Sequence, residues 1–395
     1  MLFQAIDDKK NCVGIYTNGD LIFGKIPTGL TKTWKYADYL DGHDIEYAYI
    51  YCNGKKLHEV CPDDLKDDWK RITRTFEAYI KSFQIAKISL YDNCMYDLIP
   101  HGFLKEFFDI RNKITGHVFD VHDKPKNYDF LNKTYKTVYD IKHQELKIDF
   151  SELNKNTTAY RTREYAANLK KYDNRCDFNI FGTVTGRFTN VANSFPILTM
   201  PKQVRCIIKP KNDWFVTLDY NGAELRTLIS LLGNEQPDYD IHDWNVKNIF
   251  KNKLTRDEAK LKFFAWLYNP KSNEIKTDVY DRNQILDNYW HKGVLMTEYD
   301  REITVDRSKA LNYCLQSTCA DTISDRMNEL HKFLKDKKSN IAFSIHDEIV
   351  IDMADEERHC IPEIVEIFSN NKLGNFLTTV KAGKSFGDLK ELKYD

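Results

Sequence analysis

Two carboxylates stand where short apolar strands end. Phe215-Val216-Thr217-Leu218 is a β-prone run that delivers Asp219, and the runs 341–345 and 349–353 bracket His346-Asp347-Glu348 as two strands with an acidic tip. Taken alone, Asp219 reads more readily as a turn residue closing a strand, and charged hairpin tips are usually just solvated. Taken together, two aspartates fixed by different strands suit a different task. Hard cations such as Mg²⁺ take carboxylate and carbonyl oxygens. Two such ions ~3.5–4 Å apart serve in-line phosphoryl displacement, one activating a hydroxyl and the other neutralising a leaving pyrophosphate.

A second pattern supplies what that chemistry would act on. Thr255 and Glu258 form a capping box that starts a helix near Arg256. Along it, Arg256, Lys260, Phe264 and Tyr268 recur every fourth residue, one row drifting about 40° per step. Cations come first and aromatic rings second. That order suits a nucleoside triphosphate, with phosphates at the positive helix end and base and sugar on the rings. An amphipathic helix with a partly buried row has the same spacing. Phe181-Gly182-Thr183-Val184-Thr185-Gly186-Arg187-Phe188 adds a glycine turn from which Arg187 can reach a phosphate or a base edge in a minor groove. In isolation it is only a turn signal.

The elements that must hold these groups follow from periodicity. The hairpin signal Asn18-Gly19 separates Asn11–Tyr16 from Leu21–Phe23, and Glu46–Cys52 reads as a further strand. Trp69, Ile72, Phe76, Tyr79 and Ile80 give a helix over 64–86, with further helices over 103–114 and 130–150. After Asp219 come helices over 223–232, from 256, and over 308–334. Length and composition fit a folded protein of two or three packed units: 395 residues, 42% apolar, 30% charged. The net charge of −1 announces no polyanionic partner, yet residues 151–215 carry eleven Lys and Arg against five Asp and Glu. A solvated surface explains that excess equally well. Nine scattered cysteines without a CxxC pair argue for reduced thiols in a cytosolic compartment. The N-terminus lacks the features of a signal peptide, and no apolar run approaches ~18 residues, so no membrane partner is expected.

In order along the chain, TGRF, DYNGAELR, RDEAKLKFFAWLY, NYCLQSTCAD and HDE resemble the polymerase core of family A (polymerase I type) DNA polymerases, over roughly residues 175–355. The resemblance implies an α+β right-hand fold with an antiparallel palm sheet, helical fingers and helical thumb, plus a small N-terminal α/β region. It implies Asp219, Asp347 and the Tyr220 carbonyl as ligands of two Mg²⁺ ions, with Mn²⁺ able to substitute, and Lys260 among the catalytic groups. It implies Arg256, Lys260 and His242 on the triphosphate, Phe264 against the incoming nucleotide and Tyr268 near the templating position. Glu224 would be the steric gate against a ribose 2′-hydroxyl. Arg187, Asn312, Gln316 and His346 would contact DNA beside the nascent pair, and Glu348 would be a less firmly placed third acid. The implied reaction is primer extension on a DNA template with dNTPs, in the cytoplasm (of a host, for a viral protein).

The implied organisation is an accessory region over 1–62, with an exonuclease remnant reaching about 100, thumb and connectors over 63–175, palm over 176–245 and 300–395, and fingers over 246–299. Asp44-Ile45-Glu46 and Asn93–Asp97 only partly match exonuclease motifs, so proofreading is expected to reside in a separate chain, beside replisome partners. Asn269 replaces the usual Gly after the helix tyrosine, Gly222 a usual Gln, and Ser308 a common Arg. A single-subunit RNA polymerase, a translesion or repair enzyme and a non-catalytic DNA-binding relic are the alternatives; Glu224 speaks against the first, and the retained acids and cations against the last.

Overall fold

The computed structural model describes residues 1–7, 12–156, 160–269, 272, 275, 277 and 279–393, without the side chains of 154–156, 160 and 161. Asn11, expected to open the first strand, lies outside the described residues. The chain divides into two compact units, Met1–Asn132 and Lys133–Asp395. The boundary falls inside the 63–175 stretch that the resemblance assigns to thumb and connectors.

In the first unit the Asn18-Gly19 signal gives the expected hairpin. Both residues take positive φ (49° and 85°), as a two-residue turn of this hand requires, and they join Gly14–Thr17 to Asp20–Phe23. Gln4–Ala5 adds a third strand. The helices Lys66–Ile85 and His101–Val121 meet through aromatic rings, Phe76 stacking on Phe107 at 4.6 Å.

Two expectations fail here. Only Glu46–Tyr47 of the predicted 46–52 strand is extended, pairing parallel with Lys32–Thr33. Ala48–Tyr51 closes into a helical turn that buries Ala48, Ile50 and Tyr51, with Tyr51 edge-on to Phe119 and Tyr128. An alternating apolar run of this length fits either conformation, and tertiary burial decides. Cys12 and Cys94 are joined in a disulfide, against the expectation of reduced thiols throughout; the fold brings their Cα atoms to 6.1 Å across 82 residues of sequence. The other seven cysteines are free. No described helix is long and apolar enough to cross a membrane.

The second unit is built on a five-stranded antiparallel sheet, in spatial order Asn340–Ile345, Glu348–Met353, Trp214–Tyr220, Thr378–Gly383 and Lys390–Glu391. One face is apolar. Leu218 and Tyr220 lie on it beside Ile349, Ile351 and Val380, and Tyr220 stacks at 4.3 Å on Phe368 of the helix Ile361–Ser369. The 28-residue helix Arg307–Leu334 buries Ile323, Met327, Leu330 and Leu334 in the same core. Asp219, Thr379 and Glu348 are direct cross-strand partners and therefore share the other face.

A second core gathers Leu225, Leu228 and Ile229 with Phe263, Trp266 and Leu267 of the helix Arg256–Tyr268, and with Leu311 and Leu315 of the long helix. The structure departs from the expected layout at two places. The helix predicted over 130–150 spans Tyr128–Lys142, because Lys147–Ile148 leaves it to pair with Ile208–Lys209. Within the stretch expected to be helical fingers, Trp290–His291 and Val294–Met296 form a three-stranded sheet with Glu302–Thr304.

Candidate active site

Asp219 is the penultimate residue of the central strand, and its neighbours on both sides are set by register: Glu348 across one ladder and Thr379 across the other. Asp347 follows His346, whose φ of +55° makes the tight turn between the two strands that the sequence marked. Both aspartates open on one cleft of about 380 Å³, which Tyr220, Glu224, His242, Arg256, Lys260 and Phe264 also line. Burial first, then the charges of Glu348 and Asp347, push the Asp219 carboxyl up to about 6, against the pull of Lys381 and Lys260. Crowded carboxylates that resist ionising together form an oxygen donor set that a divalent cation relieves, so these residues fit a hard divalent cation.

The opposite wall is the capped helix. Thr255 accepts from the Glu258 amide while the Glu258 carboxylate accepts from the Thr255 amide at 2.8 Å, the reciprocal cap expected from the sequence. Ala259, Phe263, Trp266 and Leu267 are buried, which turns the Arg256, Lys260, Phe264, Tyr268 row outward. Phe264 and Tyr268 stack with centroids 6.0 Å apart and planes 13° from parallel. Arg256 grips Asp240 through two hydrogen bonds of 3.2 and 2.6 Å. Asp240 in turn accepts from the His242 and Asp243 amides and from Asn221, capping the helix Ile241–Asn248. Burial opposes its charge, yet Arg256 and Asn221 hold the Asp240 carboxyl well below the usual carboxylate range. Burial, with Lys260 and Arg256 nearby, lowers His242 to about 4, so its ring is neutral at pH 7.

Glu224 sits in the first turn of Ala223–Leu231 and is clamped from two sides. Arg187 donates to one carboxylate oxygen at 3.1 Å, and the Tyr268 hydroxyl donates to the other. Arg187 and His346 line a second, narrow groove with Asp347, Ala320 and Ser324. Asn312 and Gln316 stand one turn apart on the long helix and line neither space. The Asn312 Oδ1 is buried without a partner among the described residues.

Several contributors escaped the sequence reading. Arg226 is wholly buried and donates to the carbonyls of Asn221, Pro237 and Tyr239, tying the Asp219 loop to the segment that presents Asp240. Lys381, opposite Thr217, reaches the cleft from the sheet. Gly222 has φ +67°, and a Cβ there would lie 2.4 Å from Ile241 Cγ2, so a glutamine would be strained and crowded in this backbone. Asn269 ends its helix in extended backbone, and Arg282 donates to the Trp266 and Asn269 carbonyls, so a glycine is not needed there. The only sequence signals for these were an arginine inside an apolar helix and a lysine in a strand.

No family model matches the chain. The chain is 23% identical over 229 residues to a DNA polymerase of Mycobacterium phage D29, a match spanning 48% of this chain and 37% of that protein. It is 23% identical over 266 residues to DNA polymerase I of Borreliella burgdorferi, spanning 52% and 29% respectively. The matches thus span about a third of the length of these curated relatives. A solved structure of the polymerase domain of Pol1 from M. smegmatis, in complex with DNA primer-template and dNTP, superposes with a TM-score of 0.55 at 14% identity, over 72% of this chain and 75% of that one. The fold is that of a polymerase I-type polymerase domain. The family A resemblance read from the motifs is supported by all three similarities. The cleft described above lies between the Asp219 strand with the Asp347 turn and the capped helix.

Proposed function

We propose that this chain is a template-directed DNA polymerase that extends a primer with dNTPs. The carrying observation is one cleft with Asp219 and Asp347 on one wall and the Arg256, Lys260, Phe264 row on the other. Asp219, Asp347 and the Tyr220 carbonyl would hold two divalent cations, Mg²⁺ or Mn²⁺, which supply charge neutralisation and an activated 3′-hydroxyl. The protein's own part is placement and electrostatics, as in other phosphoryl transfers. Lys260, exposed on the helix, meets the phosphates as a mobile ammonium and is the natural donor beside the leaving group. Arg256 presents a guanidinium already oriented by Asp240, and the neutral His242 ring offers one ring N–H to the triphosphate. The stacked Phe264 and Tyr268 rings offer flat faces for base and sugar.

Glu224, held by Arg187 and Tyr268, fills the space a ribose 2′-hydroxyl would need. That clamp favours DNA over RNA as product. Arg187 and His346, which share one groove, and Asn312 and Gln316 on the long helix would contact the minor groove or the primer end near the nascent pair. Palm, fingers and thumb correspond on this reading to the five-stranded sheet, to the segment 246–299 and to helices within 63–175, with residues 1–62 an accessory region. The work takes place where DNA and dNTPs meet, in the cytoplasm. The test is extension of a labelled primer on templates of different sequence. Products complementary to each template with dNTPs, and little extension with rNTPs, are expected. Template-independent addition, or rNTP use equal to dNTP use, overturns the reading.

A further inference from the structure

One deeply buried ion pair lies outside the cleft. Asp321, on the long helix, is 1% exposed, and the Arg301 side chain 12%. Arg301 donates through Nε at 2.9 Å and Nη2 at 2.7 Å to the two carboxylate oxygens. The arginine backbone is also fixed, its amide and carbonyl bonded to the Thr297 hydroxyl and amide. Breaking such a pair is costly, but replacing both partners by apolar residues is often neutral or stabilising. Stability alone therefore does not account for it. A planar, bidentate pair fixes orientation.

What it orients is the glycine turn. Gly186 has φ +78°, and a Cβ there would lie 2.5 Å from Arg301 Nη2 and 2.7 Å from Cζ, so the turn backbone rests directly on the guanidinium. The next residue is Arg187, whose carbonyl accepts from Thr183 Oγ1 at 2.9 Å and whose side chain holds Glu224. A continuous path thus runs from Asp321 through Arg301 and the Gly186 turn to Arg187 and Glu224.

We infer that Arg301 and Asp321 are positioning residues that set where Arg187 stands and, through it, the Glu224 clamp, so that a buried pair remote from the reacting atoms tunes sugar discrimination. The inference rests on the reading of Glu224 as the gate. Arg301→Lys keeps the charge but loses the fork, Asp321→Asn keeps the shape but loses the charge, and Arg301→Met with Asp321→Leu keeps a filled core. Each should raise rNTP relative to dNTP incorporation about fivefold, leave the Mg²⁺ dependence unchanged, and add nothing to Arg187→Ala, because coupled residues are not additive. Hydrogen exchange supplies a readout independent of activity: amides of 183–190 should lose protection while those of 214–220 keep it. Glu224→Ala is the control. If it changes selectivity and the folded pair variants do not, the inference fails. If the wild type does not polymerise, or Glu224→Ala is silent, the function reading fails instead, and retained protection at 183–190 then overturns the positioning role while lost protection upholds it.

Discussion

The two walls of the cleft are built on different physics. The acidic wall is a strand whose residues from Phe215 to Leu218 are all buried and whose register is set on both sides, so Asp219 is placed by backbone ladders and core packing. The cationic wall is a helix with one buried face. Its outward side chains are placed by other side chains: Arg256 by Asp240, which Asn221 holds in turn, and Tyr268 by Glu224. A ladder tolerates little adjustment, whereas side-chain hydrogen bonds can be exchanged for a ligand's phosphates. The contrast suits a fixed centre for chemistry facing a wall that rearranges around its substrate.

If the acidic wall is where the chemistry lies, the largest effect should come from Asp219. Asp219→Asn should lower primer extension by roughly 1,000-fold or more with the fold retained, judged by single-turnover rates and circular dichroism. A loss confined to dNTP affinity would move it to the substrate wall. Next, Glu224→Ala should shift the rNTP to dNTP ratio of kcat/KM by roughly 100-fold with smaller loss of dNTP incorporation. Arg256→Ala, and less so Asp240→Asn, should raise KM for dNTPs about tenfold with little change in kcat. A kcat effect without a KM effect would erase the distinction between the walls.

The smallest effects are on stability. The Asp219 carboxyl titrates near 6 in the folded chain, above its ordinary value of 3.8. A raised pKa gives stability that is complete below the unfolded value and lost as pH rises through 6, so the metal-free protein should become less stable between pH 4 and 7. Asp219→Asn should remove that slope and melt higher at pH 7.5, by about 1–2 kcal/mol after allowing for partial exposure. Added Mg²⁺ should stabilise the wild type more at pH 7.5 than at pH 5.5 and leave the variant unmoved. On the helix wall, Thr255→Ala should cost about 1 kcal/mol in chemical denaturation, the usual worth of an N-cap.

The same contrast explains what could be read from the sequence. Strand-borne groups announce themselves: the apolar run before Asp219 and the two runs around Asp347 are local patterns, and so is the Thr255–Glu258 cap. Groups that act through partners distant in sequence do not. Nothing near Asp321 points to Arg301, and nothing near Arg187 points to Glu224, because those contacts exist only after the core around the long helix has formed. Asp240 carries no local signal of its own, and its grip on Arg256 is a product of two helices meeting. The strand wrongly expected over 46–52 shows the limit from the other side, since a local pattern cannot say which conformation the surrounding core will choose. The Cys12–Cys94 bond joins residues that no spacing rule pairs.

The central claim is that Asp219 and Asp347 together hold the catalytic metal ions of a DNA polymerase. Its most direct test is extension of a recessed primer with Mg²⁺ and all four dNTPs by the wild type and by Asp347→Asn, side by side. The account predicts full-length, template-matched product from the wild type and none above background from the variant. Equal extension by Asp347→Asn would contradict it.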